Sequence, residues 1–155
     1  MFSHPGKSLA GIALAASILL APIAAVADDH IPDPEAWYRT SYAPLWNGTP
    51  EDDVDAILQH YASEIVTHES DGAISSTEQV AWLAEPMGEW VAEGWLRAEM
   101  TALQTQVINT STAAFIATWK DYYQDGSTEI SCGWYLADFI DGQWLITSYA
   151  DTSCP

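Results

Sequence analysis

The sequence predicts an α+β domain in which three helices pack into a curved four-stranded antiparallel meander. Two features of the chain predict it. Up to residue 94, apolar residues recur at helical spacing behind capping residues and prolines. From Leu96 onward Thr, Val, Ile and aromatics dominate, and turn signals arrive at residues 109–111, 125–126 and 141–142.

The 155-residue chain opens on a leader. Lys7 lies in a short n-region, Leu9 to Leu20 form an apolar run, and Ala25 and Ala27 stand where a signal peptidase reads small residues before Asp28. The expected organisation is a signal peptide, 1–27, and one domain, 28–155, exported to the periplasm or secreted. The apolar run is short for a bilayer span, so no membrane insertion is expected after cleavage.

The whole chain carries a formal charge of −18. Lys7 is the leader's only charged residue, so the remainder has 22 acids against Arg39, Arg97 and Lys120, or 3 − 22 = −19. Nucleic acid and anionic membrane would both be repelled by such a chain. Cys132 and Cys154 are the only cysteines, and after export they are expected to form a disulfide. No metal site is expected, because His60 and His68 lack ligand spacing and no C-x-x-C occurs.

The first helix is "DPEAWYRTSYAPLW", residues 33–46, with Asp33 as N-cap and Pro34 at the first helical position. A second begins at Thr49 and Pro50 and places Glu51 to Asp53 in its first turn, where the helix dipole favours acids. "EIVTHE" follows as a short strand closed by an Asp71-Gly72 turn. The third helix starts at Ser75 or Ser76, is expected to be kinked or split at Pro86 and Gly88, and ends near Gly94.

The four strands of the meander are expected at 96–108, 112–123, 128–140 and 143–151. Two-residue turns at both Asp-Gly pairs would set Tyr135 opposite Ile116 and Trp144 opposite Phe139. Phe115, Trp119, Trp134 and Tyr149 then share one face with Asp138 and are the expected ligand contacts. Tyr135, Phe139, Trp144 and Ile146 share the other, and so much apolar surface there predicts a homodimer through that face.

Three segments, "DDVDAILQHYASEIVTHESDG", the helix ending in "EGW", and "GWYLADFIDGQWLITSYAD", resemble the SnoaL-like, nuclear transport factor 2-like superfamily. That superfamily includes ketosteroid isomerases, scytalone dehydratase and limonene epoxide hydrolase. The resemblance covers 33–151 and implies a cystatin-like cone around a pocket. Set against the isomerases, Glu69 matches the general base and Tyr42 the oxyanion-binding tyrosine. Asp138 lies two residues from the second oxyanion donor, whose matching position holds Leu136. If the strand instead turns His68 inward, that imidazole becomes the base. The epoxide-hydrolase Arg-x-Asp has no match on the right strand. No G-x-S-x-G, P-loop or dinucleotide fingerprint occurs, and no cofactor is expected.

The resulting reading is an exported pocket protein for a small, largely apolar molecule. Acid–base chemistry of the isomerase or dehydratase type is what the resemblance implies. The alternative is a non-catalytic ligand-binding or dimerisation domain of the same fold.

Overall fold

The computed structural model describes residues 30–69 and 71–154, so the expected signal peptide, 1–27, lies outside the described residues. Three helices and six strands follow in chain order. Helix α1 runs over residues 34–46, as Pro34–Trp37, a wider π-helical turn Tyr38–Tyr42, and Ala43–Trp46. Asp33 caps it, its carboxylate accepting the Ala36 N–H at 2.8 Å. The π turn has a local cause. Pro44 has no N–H and would crowd the carbonyl four residues back, and the Ala43 N–H just before it reaches five residues back to the Tyr38 carbonyl. Tyr38, Tyr42 and Trp46, one every fourth residue, make the buried stripe.

Helix α2 (Val54–Leu58) is shorter than the sequence suggests. Residues 49–53 form turns in which the Asp52 and Asp53 amides both donate to the Thr49 carbonyl. Helix α3 spans residues 80–92, as a π turn Val80–Ala84 continued by Glu85–Ala92. It repeats the device of α1. Glu85, just before Pro86, donates to the Val80 carbonyl, so the proline widens the helix instead of splitting it.

The strands are β1 (Tyr61–His68), β2 (Ile74–Glu78), β3 (Trp95–Asn109), β4 (Thr112–Tyr123), β5 (Thr128–Ile140) and β6 (Gln143–Asp151). They form one sheet in the order β2-β1-β6-β5-β4-β3. β1 is parallel to β6, and every other pair is antiparallel. The fold class is therefore α+β as expected, with the four-stranded meander extended by β1 and β2. "ISSTE", read as the start of a helix, is instead the edge strand β2.

The β4–β5 turn corrects the predicted register. Tyr123 donates to the Ser127 carbonyl and Gly126, at φ 84°, to that of Tyr123, which makes a loop of three residues, not two. Phe115 therefore lies opposite Tyr135, one residue from the expected partner. A one-residue slip moves every side chain to the other face. The β5–β6 turn does have two residues, Asp141 and Gly142 at positive φ, and Trp144 lies opposite Phe139 as expected. Further along, Ile146 pairs with Ala137 but Ser148 with Leu136, so Thr147 is an extra residue. This bulge switches the parity of β6, and Tyr149 points to the same side as Ile146.

The concave face consequently carries Phe115, Ala117, Trp119, Tyr135, Trp144 and Ile146, with α1 packed against it: the Tyr38 ring lies 4.7 Å from Phe115 and 5.7 Å from Tyr135. The face expected to form a dimer is thus the monomer's own core. Tyr135, Trp144 and Ile146 are buried there, and Phe139 packs against them. A disulfide joins Cys132 on β5 to Cys154 in the tail, with 5.2 Å between their Cα atoms. Among the described residues, no helix is long and apolar enough to cross a membrane.

Candidate functional site

A cavity of about 480 Å³ opens between the concave face, the end of α1 and helix α3. The strands give it a floor of Tyr61 and Thr67 from β1, Trp119 from β4, Tyr135 from β5 and Tyr149 from β6. The helices give it walls: Trp46 from α1, and Trp82, Leu83, Pro86 and Trp90 from α3. Pro86 and Trp90, four residues apart, share the face of α3 that meets the cavity.

The rings pack on one another in a chain. Tyr61 lies 5.2 Å from Trp82, Trp82 5.2 Å from Tyr149, and Tyr149 5.2 Å from Tyr135. Trp46 continues the series, 6.0 Å from Trp119 and 6.3 Å from Trp95. Most of their polar tips are paired. Trp119 Nε1 donates to the Tyr135 hydroxyl at 3.2 Å, and the Tyr42 and Tyr61 hydroxyls bond each other. Burial pushes the hydroxyl pKa values of Tyr42, Tyr61, Tyr135 and Tyr149 upward, since a phenolate would lose its hydration there. These hydroxyls stay protonated, and the Tyr149 hydroxyl donates to Asp151.

Carboxylates gather at the rim, from Glu93 after α3, Asp121 on β4, Glu129 on β5 and Asp151 on β6. Asp121 is held firmly, accepting Trp95 Nε1 at 3.0 Å and Ser131 Oγ at 2.7 Å. Asp151 accepts the Tyr149 hydroxyl at 2.6 Å, and Glu129 that of Tyr123 at 3.2 Å.

Only part of the expected site is at this cavity. Trp119 and Tyr149 line it. Phe115 is fully buried in the core against Tyr38, behind the lining. Trp134 is on the convex face, edge-on to His68 at 6.2 Å, because of the register slip. Asp138 is on that face too, and its carboxylate accepts Thr112 Oγ1 at 2.7 Å and Thr147 Oγ1 at 2.9 Å.

Glu69 and His68 are both exposed, and neither lines the cavity. Glu69 has the parity of the inward Ile65 and Thr67, but β1 ends at His68 and Glu69 belongs to the turn. Its N–H bonds the Ala73 carbonyl and its carbonyl accepts the Gly72 N–H. Glu69 and Tyr42, matched to the isomerase base and oxyanion-binding tyrosine, are not brought together at the cavity; Tyr42 is buried and bonds Tyr61. Sequence reasoning missed Tyr61, Trp82, Trp95, Tyr135 and Asp121. A usable signal existed for the last, because Trp119 and Asp121 are two apart on one strand and must share a face.

Residues 32–153 match the family described as NTF2-like protein (DUF6841). The chain belongs to this NTF2-like family. Solved structures agree on the fold. An NTF2-like protein of unknown function from Shewanella oneidensis MR-1 superposes with a TM-score of 0.59 at 17% identity, over 77% of this chain and 96% of its own. One from Pseudomonas putida KT2440 gives 0.53 at 16% identity, over 77% and 80%. A domain of unknown function with a cystatin-like fold from Nostoc punctiforme PCC 73102 gives 0.52 at 16% identity, over 77% and 74%. No curated protein matches the sequence.

Proposed function

We propose that this NTF2-like protein is an exported binding protein that holds a small, largely apolar molecule between α3 and the concave face of the sheet. The observation that carries the reading is the cavity of about 480 Å³, half of whose 18 lining residues are Trp or Tyr. That volume is within the range of small-molecule sites, and apolar walls with a few placed polar groups are their usual chemistry. The leader and the Cys132–Cys154 disulfide support export. Isomerase-type catalysis has less support. Glu69, His68 and Asp138 lie outside the cavity, and burial keeps the hydroxyls of its lining residues Tyr61, Tyr135 and Tyr149 protonated, which leaves them poor bases.

Titration with 2-naphthol, a neutral aromatic probe, followed by tryptophan fluorescence tests the reading. Saturable quenching is expected, and Trp82→Ala should weaken it about tenfold or more through loss of one ring contact. Quenching that never saturates, or that ignores Trp82→Ala, would reject the cavity as the binding site.

A further inference from the structure

We infer that the molecule taken up by this cavity is an organic cation, an ammonium ion carrying apolar substituents. The inference rests on the binding role proposed above and gives it a ligand class. Two independent features of the lining converge on it. The first is the rings. Trp and Tyr faces carry the negative part of the aromatic quadrupole, so a cavity walled by them attracts a positive centre that is only weakly hydrated.

The second is the sign of every charged group at the cavity. Glu93, Asp121, Glu129 and Asp151 line it, and among the described residues no Lys, Arg or His does. Asp121, Glu129 and Asp151 take their hydrogen bonds from neutral donors, namely indole, Ser and Tyr groups. Neutral donors orient a carboxylate and leave its charge in place.

The described lysine and arginines, Arg39, Arg97 and Lys120, lie elsewhere. Among the described residues, the ion pairs are Arg39 with Glu35 and Arg97 with Glu99. Arg97 and Lys120, on the strands that form this end of the sheet, approach the Tyr122 ring at 3.7 and 5.1 Å. Tyr122 alternates with Asp121 and faces the other side of the sheet. Among the described residues, the rim is thus a concentration of negative charge with no basic side chain lining it, next to a wall of rings.

An anionic ligand would be repelled there, and a neutral one would leave the carboxylates unused. A bare metal ion fits poorly, because among the described residues no three acidic, His or Cys side chains are grouped closely enough to hold one. An alkylammonium or arylalkylammonium ion satisfies both features: its substituents fill the aromatic wall and its charge meets the rim.

The test compares benzyltrimethylammonium with its neutral carbon isostere, neopentylbenzene, by the same fluorescence titration of the exported chain. The cation should bind about tenfold more tightly or better, with the gap narrowing as salt is added. Glu129→Gln combined with Asp151→Asn, both exposed side chains, should remove most of the gap. A distant pair with the same change of charge, Glu51→Gln with Asp52→Asn, should leave it intact. Equal binding of the two probes, or tighter binding of the isostere, overturns the cation inference and leaves the cavity reading standing. So does saturable 2-naphthol binding with no binding of the cation. A cation preference lowered equally by both charge variants would belong to the overall field of an acidic protein, and it too overturns the inference. If none of the three probes binds, both readings fall.

Discussion

Gly133 is where a single methyl group should reveal how the cavity floor is built. It lies on β5 two residues before Tyr135, whose ring folds back over it. A Cβ added at Gly133 would lie 2.7 Å from the Tyr135 hydroxyl oxygen and 2.8 Å from ring atoms Cε2 and Cζ. Carbon contacts prefer about 3.5 Å or more, so the ring would have to move by roughly 0.7 Å. It has little room to do so. Tyr135 is only 7% exposed, accepts the Trp119 indole N–H, and is flanked by Tyr38 and Tyr149.

Overpacking of this kind costs about 1–3 kcal/mol, and a weakened hydrogen bond adds about 1 kcal/mol. For Gly133→Ala we expect a net loss of about 2–3 kcal/mol and a melting temperature lower by roughly 6–10 °C. With no clash, the same change in a strand interior would stabilise by about 0.5–1 kcal/mol, so the sign alone discriminates. Thermal and urea melts of the single variants and of Gly133→Ala with Tyr135→Ala give a double-mutant cycle. The penalty should nearly vanish without the Tyr135 ring. A Gly133→Ala protein as stable as the parent, or an undiminished penalty in the Tyr135→Ala background, would refute the account. Because Tyr135 lines the cavity, a shift of its ring in Gly133→Ala should also weaken 2-naphthol binding.

Replacing Cys132 and Cys154 by Ser opens a loop whose ends are 22 residues apart, which the chain-entropy model rates at about 3 kcal/mol; urea denaturation should show that loss, and unchanged stability would mean the bond constrains nothing. His60, against the rings of Trp37 and Tyr42, has its pKa lowered from 6.5 by burial. The unfolded chain therefore takes up a proton at this site before the folded one does, and stability should decline as pH falls below about 6.5 until the folded pKa is passed. His60→Gln should flatten that part of the profile of urea midpoint against pH, and an unchanged slope would reject the assignment.

The elements that were legible in the sequence are those whose signal is local. Helix α1 announces itself through Asp33, Pro34 and a repeat of four, and Asp141-Gly142 marks a hairpin whose register follows directly. β2 was not legible, because "ISSTE" has a capping residue's chemistry and is held in the sheet by backbone bonds to β1. The site failed to emerge for a sharper reason. Asp125-Gly126 is the same dipeptide as Asp141-Gly142, yet the Asp125 carboxylate accepts the Ser127 N–H at 2.8 Å and closes a loop one residue longer. Both loops are permitted for Asp-Gly, and nothing local chooses between them. That single residue exchanged Trp134 for Tyr135 on the inner face and turned the supposed dimer surface into core. The bulge at Thr147 then returned Tyr149 to the cavity for a reason unrelated to the one that predicted it. Glu69 shows the complementary failure. Its parity is inward, but the strand ends before its side chain can use it. Alternation tells which face a residue would take, whereas the strand's length decides whether any face remains to be taken. Of the acids that do reach the cavity, Asp121, Glu129 and Asp151 are on strands that extend as far as its rim.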